Sequence, residues 1–355
     1  MIPVIIINLL AILLVYFSGQ RGKKSLYGAA FAILVIFYGI RCDYGNDYSN
    51  YEYVFNYIAG SNSITSFLGG HYEMGWLLLN KLFSFTSFHF FVFVLTIIQF
   101  LPIYVLLKRY VKPAYRYLGL AVFLFDSSFL IALSMMRQAF AANLMLLAFP
   151  LLENKKRWPF FLGVVFIAAQ FHTSAYIMLL APLLTFVAKM DKKKATYIFL
   201  IIFALFFIIS NNIEAILSNL FEFEEMERYQ RYIDEETHIS YGISFTLHIL
   251  FCYFIINKGP AEPLVLRQNS LFYPVAYIFT SLNMIAAGTG RLAYYFAAIY
   301  FVVFPYLFYY FKRYTLLFLL FILILLIDSG WDFISFFFSP VYGKHYMEYH
   351  TILGF

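Results

Sequence analysis

Arg41, Asp43, Asp47, Glu73, Arg137, His172 and Arg291 are the side chains of this sequence best suited to chemistry. Guanidinium groups grip phosphate bidentately and keep their charge at any working pH. Arg137 opens the run RQAFAANLML, and Arg291 follows Gly-Thr-Gly and precedes LAYYF. Glycine-rich backbone ahead of a helix can also expose amides to an anion. With Arg41 the two arginines make a cluster suited to a diphosphate. Tyr294 and Tyr295, three and four residues beyond Arg291, fall on its helix face. Tyr44 belongs to the tyrosine-rich stretch RCDYGNDYSNYEYVFNY at 41–57. Such tyrosines can sit at a membrane interface, stack on sugar rings or hold sugar hydroxyls.

The acids and the histidine suit proton transfer. Asp43 and Asp47, four apart, share a face if that stretch is helical, and either can deprotonate a sugar hydroxyl. Glu73, at the start of YEMGWLLLN, is a third candidate. His172, in QFHTSAY, can act as a base near neutral pH or steady a leaving phosphate. Most of these residues also have a plainer reading. Arg137 can snorkel to headgroups, and Arg291 can mark an interfacial turn. His172 can be a hydrogen-bonded structural ring, Asp47 a helix cap, and Asp43 the ion-pair partner of Arg41. Asp126, in FLFDSSF, is an acid inside an apolar run, suspect by default but equally able to bond Ser127. There is no P-loop, nucleotide fingerprint, HExxH or GxSxG motif, so the energy source is the substrate or a gradient. No cofactor is expected. No metal-ligand spacing stands out, although acids on one face leave a divalent ion open.

The elements that must position these groups are membrane helices. The chain is 63% hydrophobic and 12% charged, with mean hydropathy +0.76, far from the balance of a soluble domain. Apolar runs recur at 2–17, 26–40, 88–107, 115–133, 137–152, 159–171, 173–188, 195–210, 241–257, 270–287, 291–311 and 315–328. The predicted fold is therefore all-α, a polytopic membrane protein of about twelve spans forming one domain over 1–355. Most of its 25 Lys and Arg residues fall in short loops around Arg21, Lys108, Lys155, Lys192, Lys258 and Lys312. The positive-inside rule makes those loops cytoplasmic and puts both termini, and the candidate residues, outside. The net charge of +6 thus reports orientation and not a nucleic-acid partner. The N-terminus lacks a basic leader and a cleavage site and is expected to remain as the first span. Cys42 and Cys252 are placed near opposite faces, so no disulfide is expected.

Two insertions are placed outside, at 41–87 and 211–240. Residues 74–86 are too short for a span and carry Lys81, so 47–86 is expected to form external or re-entrant helices along the membrane surface. Residues 159–188 have basic loops at both ends and are expected to form a tight hairpin with its tip at Gln170 to Ser174. Residues 211–240 combine helical apolar spacing with an acid-rich run and suggest an amphipathic surface helix.

At these residues the sequence resembles the EpsG family of bacterial exopolysaccharide proteins, grouped with Wzy-type polymerases. The resemblance is carried by R-x-D-Y-G-N-D-Y-x-x-Y at 41–51, Y-E-x-G-W-x-L-L-N at 72–80 and M-R-Q-x-x-A at 136–141. It continues through H-T-S-A at 172–175 and G-R-x-x-Y-Y at 290–295, while residues after about 315 add little. It implies a glycosyltransferase at the outer face of the bacterial inner membrane that joins polyprenyl-diphosphate-linked repeat units. Polyprenyl diphosphate would leave, and a flippase and a chain-length regulator would be partners beside membrane lipid. An outer loop with an acid followed by a surface helix is also similar to the layout of GT-C glycosyltransferases, and layout does not fix reaction. The competing readings are a GT-C-type transferase adding one sugar from a polyprenyl-phosphate donor, and a flippase or other transporter. Polar candidates confined to one face, with no visible repeat, disfavour transport.

Overall fold

The computed structural model describes residues 1–61, 72–211, 243–259, 264–282, 290–297 and 299–354. These are almost entirely helical, and they gather into two compact units, Met1–Leu179 with Tyr300–Phe355, and Leu180–Ile299. Each unit is described by itself.

In the first unit, α1 (Ile2–Arg21) and α2 (Lys24–Gly39) form an antiparallel pair. Proline in the first turn of α1 is tolerated because that amide has no helical partner. Gly22 ends α1 with φ 67°, a left-handed conformation that glycine adopts freely. Asn8, buried in α1, donates to the Leu124 carbonyl at 3.1 Å and accepts from the Tyr38 hydroxyl at 2.8 Å. A polar side chain at that depth is tolerated because both of its ends are satisfied.

Helix α5 (Phe88–Tyr110) is the longest among the described residues, with 23 residues or roughly 34 Å at the standard rise. Ser87 caps it by accepting the Phe90 amide, and Lys108 and Arg109 close it. Around that basic end, Arg109 pairs with Glu153 at 3.0 Å, and Arg116 lies over Tyr27 while donating to carbonyls of α5. Lys112 and Lys312 both sit over Tyr309. Basic residues from separate loops thus meet at one end of the unit. At the other end the Met1 ammonium donates to the Met347 carbonyl. Residues near the two ends of the sequence thus meet.

Where the sequence suggested external helices within 47–86, the structure has α3 (Tyr48–Gly60) and α4 (Met74–Phe83), neither long enough to span a bilayer. Lys81 explains its place in an apolar helix: its ammonium donates to the carbonyls of Ile58 and Ser61, closing the end of α3. A buried cluster of Tyr48, Tyr51, Phe55, Trp76, Phe88, Phe91 and Met136 holds α3 and α4 against α5 and the helix that begins at Met136.

The run expected as one span at 115–133 is broken. It forms α6 (Arg116–Leu124) and α7 (Ser127–Ser134), bent by 59°. Asp126 causes the break by adopting an extended backbone and accepting the Ser128 amide at 2.8 Å. That is an N-cap, which accounts for an acid in an apolar run. A second break at Met135, with ψ 59°, precedes α8 (Met136–Ala148). The hairpin tip expected at Gln170 to Ser174 coincides with a break after α9 (Trp158–Ala169).

After helix Thr315–Leu325 the chain makes a wide turn and returns along Asp332–Phe338. It ends in strand β2 (His350–Thr351), antiparallel to β1 (Arg41–Cys42) with Arg41 opposite Thr351.

The second unit contains helices Ala181–Lys189, Lys192–Asn211, Ile243–Lys258, Leu264–Leu282 and Gly290–Ala297. Lys192 donates to the carbonyls of Asn257 and Gly259, and Arg267 to that of Met190, so its basic loops also meet. Buried His248 stacks on Tyr277, and Gln268 donates to Thr185 at 2.8 Å. Apart from Asn211, the predicted amphipathic insertion at 211–240 lies outside the described residues.

Among the described residues, Ile2–Arg21 and Phe88–Tyr110 are each long and apolar enough to cross a membrane, and up to four crossings result if two bent pairs count as one each. This fits an all-α membrane protein; the count of twelve rests on the sequence.

Gly119 tests the packing of α6. A methyl group there would lie 2.2 Å from the Phe301 carbonyl oxygen, whereas nothing lies within 4 Å of the corresponding position at Gly163 in α9. Gly119→Ala should lower the melting temperature in detergent, because backbone must move. Gly163→Ala should leave it unchanged or raise it, since alanine gains about 1 kcal/mol of helix propensity. Equal melting temperatures for the two variants would contradict this packing.

Candidate active site

Arg137 stands in the first turn of α8, directly after the break at Met135. The start of that helix is fixed from outside, because the Asp47 amide donates to the Ser134 hydroxyl at 2.9 Å. Gly45 permits the approach: a side chain there would meet Ser134 at 3.0 Å, and its φ of 124° suits glycine alone. The Arg137 guanidinium donates to Glu73 Oε2 at 2.5 Å, with only 17% and 16% of the two side chains exposed. It also lies over the Tyr72 ring at 4.6 Å and hydrogen-bonds Tyr51 of α3. Burial pushes the Tyr51 phenol up, and the neighbouring guanidinium draws it back.

Glu73 occupies the N-cap position of α4 yet makes no cap bond to its own helix. Its carboxylate is spent elsewhere, with Oε2 on Arg137 and Oε1 accepting the Thr173 amide at 3.0 Å. The turn after α9 can press this closely because Gly75 lacks a side chain; a methyl there would lie 2.6 Å from the Gln170 carbonyl oxygen. In the same turn the His172 ring meets the Ser174 hydroxyl at 2.6 Å through Nδ1. Residues 73, 137 and 172–174, far apart in sequence, therefore meet around one ion pair. Asp47, exposed, begins the helix that carries Tyr51.

Other candidates are placed differently. Arg41 does not face an outer anion site: it is 2% exposed, and its guanidinium donates to the carbonyls of Tyr38 and Leu133 and to the Thr96 hydroxyl. It pairs with these oxygens and not with Asp43. Asp43 and Asp47 share no helix face, because Asp43 has φ 46° and precedes α3, accepting only from Ser49 at 3.2 Å among its described bonds. Tyr44 is no platform for sugars, being fully buried edge-on against Tyr346 and Tyr349. Arg291, exposed, and Tyr294 lie on helix Gly290–Ala297 of the second unit, where Tyr295 is buried. Gly288 and Thr289 fall outside the described residues.

Sequence reasoning does not single out Tyr51, Tyr72, Thr173 or Ser134. The tyrosines are hidden among many like them, and Thr173 acts through its backbone, which no side-chain pattern announces. Among the described residues no three of His, Cys, Asp or Glu come together. What the arrangement can do is hold an anion on Arg137 and take a proton on Glu73.

The two arginines should respond differently to substitution. Arg41→Lys should cost about 2 kcal/mol, because an ammonium cannot reach all three acceptors and leaves buried oxygens unpaired. Glu73→Gln, which keeps an oxygen toward Arg137, should cost less, about 1 kcal/mol. Thermal unfolding in detergent measures both, and the reverse order would contradict a structural Arg41 and an exchangeable Glu73–Arg137 pair.

The EpsG family model matches residues 24–351. No curated protein and no solved structure matches the chain. The matched span runs from the start of α2 to the strand that pairs with Arg41, taking in the ion pair, the 170–174 turn and helix Gly290–Ala297, and the chain belongs to the EpsG family.

Proposed function

We propose that this protein is a polysaccharide polymerase that joins polyprenyl-diphosphate-linked oligosaccharide units at the outer face of the bacterial inner membrane. The observation that carries the reading is the Glu73–Arg137 pair, set among aromatic rings at the end of its unit away from the basic loops. Membership of the family supports it. The reading keeps twelve crossings within a single membrane domain, with the basic loops inside.

In this reaction the acceptor sugar hydroxyl attacks the anomeric carbon of the donor glycan. A new carbon–oxygen bond forms, the bond to the diphosphate oxygen breaks, and its electron pair leaves with polyprenyl diphosphate. Arg137 holds the diphosphate, where a fixed guanidinium is worth most as charge develops on the leaving oxygen. The incoming phosphate replaces Glu73 on the guanidinium. The released carboxylate, still held at Oε1 by the Thr173 amide, accepts the hydroxyl proton. Tyr72 and Tyr51 keep the guanidinium in place during the exchange. Arg291, Tyr294 and Tyr295 lie in the second unit, and this scheme is built from residues of the first unit alone.

The test is reconstitution of the purified protein with lipid-linked oligosaccharide extracted from its own cells. A ladder spaced by whole repeats is expected. Arg137→Ala should reduce its formation by about 100-fold or more while the protein remains folded in the membrane. Addition of one sugar only would favour a single-sugar transferase. Transfer of unextended material across the bilayer would favour a flippase, and a normal ladder from Arg137→Ala would remove the phosphate clamp.

A further inference from the structure

We infer that Tyr346, in the C-terminal tail, is a positioning residue for Arg137: with Ser134 it completes a chain of hydrogen bonds that sets where α8 starts. The inference rests on the polymerase reading for its effect on the reaction, and on the contacts alone for the placement of Arg137.

The chain joins three segments far apart in sequence. The Asp47 amide donates to the Ser134 hydroxyl at 2.9 Å, that hydroxyl bonds the Tyr346 hydroxyl, and Tyr346 donates to the Leu130 carbonyl at 3.1 Å. Its two ends fix its direction. An amide nitrogen can only donate and a carbonyl oxygen can only accept, whereas each hydroxyl has one proton to give. Tyr346 gives its proton to Leu130, so Ser134 gives its own to Tyr346 and turns a lone pair to Asp47. The reverse order would satisfy neither end. Phenylalanine at 346 removes the two bonds of the tyrosine hydroxyl, and alanine at 134 removes the two bonds of the serine hydroxyl.

Tyr346 can act as a post because it is itself held. It is fully buried, edge-on to Tyr44 at 4.9 Å and to Phe336 at 4.8 Å. Its short helix, Gly343–Tyr346, lies close against the returning helix, where a methyl on Gly343 would be 2.5 Å from the Phe337 carbonyl oxygen. Arg137 follows Ser134 by three residues, across the break at Met135. The last bond of α7 runs from the Met135 amide to the Ile131 carbonyl, and the Ala139 amide opens α8 on the Met135 carbonyl. The angle between the two helices is therefore set by groups outside them, and the chain through Ser134 supplies one at the last residue of α7. Releasing it lets Arg137 shift against Glu73, whose other oxygen is held from a different segment by the Thr173 amide. A misplacement of about 1 Å at a group that meets the substrate can cost on the order of 100-fold in rate, and one released anchor should cost part of that.

Two measurements test this. In protein labelled with 15N-arginine, the Arg137 Nε–H signal is assigned by its loss in Arg137→Ala. Tyr346→Phe should move that signal, and so should Ser134→Ala, which leaves the buried Tyr346 ring intact. Tyr342→Phe, in the same tail, keeps its stacking on Phe336 at 4.7 Å and should leave the signal in place. An unmoved signal in both chain variants, or an equal movement in Tyr342→Phe, overturns the inference whatever the protein's activity. In the reconstituted assay, Tyr346→Phe should lower kcat about tenfold with KM changed less than about twofold, because substrate still binds and meets a misplaced guanidinium in the transition state. Added to Arg137→Ala, Tyr346→Phe should change the residual rate by less than about twofold, since no guanidinium is left to place. A further loss of about tenfold in that background, beside a normal wild-type ladder, would overturn the positioning role and leave the polymerase reading standing. No ladder from wild type would instead remove the polymerase reading, and the arginine signal would then decide whether Tyr346 places Arg137.

Discussion

A guanidinium without water must find oxygen inside the protein, and Arg41 finds three oxygens on three different helices. Tyr38 lies near the end of α2, Thr96 one third of the way along α5, and Leu133 at the close of α7. A buried charge costs several kcal/mol unless such partners are fixed in place. Four tyrosines, Tyr44, Tyr48, Tyr346 and Tyr349, close around it, and two of them come from the last residues of the chain. Tyr349 lies flat on Phe37 with ring centroids 4.3 Å apart, Tyr346 donates to the Leu130 carbonyl, and the Ile352 amide donates to the Ile40 carbonyl. The C-terminal tail is thereby part of the environment that makes a buried Arg41 tolerable.

The position of Arg137 depends on that arrangement. Leu133 accepts from Arg41, Ser134 accepts from the Asp47 amide, Met135 breaks the helix, and Arg137 follows in the next turn. Two anchors on consecutive residues define where α8 starts, and with it the direction in which Arg137 enters the site. Arg41 thus acts on Arg137 through the four residues of backbone from Leu133. No contact between the two guanidinium groups is needed.

Much of this was legible in the sequence, and the failures have identifiable physical causes. Apolar runs located most helices, and the placement of lysines foretold that Arg109, Lys112, Arg116 and Lys312 would gather at one end. Glu73, Arg137 and His172 were legible as ionisable residues that an apolar chain would not keep without cause. Arg41 has the same signature as Arg137, and side-chain type cannot tell a guanidinium that satisfies backbone carbonyls from one that meets a carboxylate. Hydropathy averages over many residues, so it passes over single-residue breaks such as Asp126 and Met135. Those breaks decide where side chains point. The tail escaped because its contribution is two strand residues and a few aromatic contacts with residues some 300 positions away.

The closed Glu73–Arg137 pair suits a site that must wait for an anion and then let it go. An arginine alone against Tyr72 and Tyr51 would be poorly solvated, and the carboxylate balances its charge. The pair is partly exposed, so opening it costs less than breaking a fully buried one. A diphosphate carries more charge than one carboxylate and can match the guanidinium fork, which favours exchange when substrate arrives. When the product carrier departs, Glu73 can return without large movement, because the Thr173 amide has held its other oxygen throughout. A carboxylate anchored at one oxygen and exchangeable at the other links anion binding to the release of a base, and in the proposed reaction the two events belong to the same step.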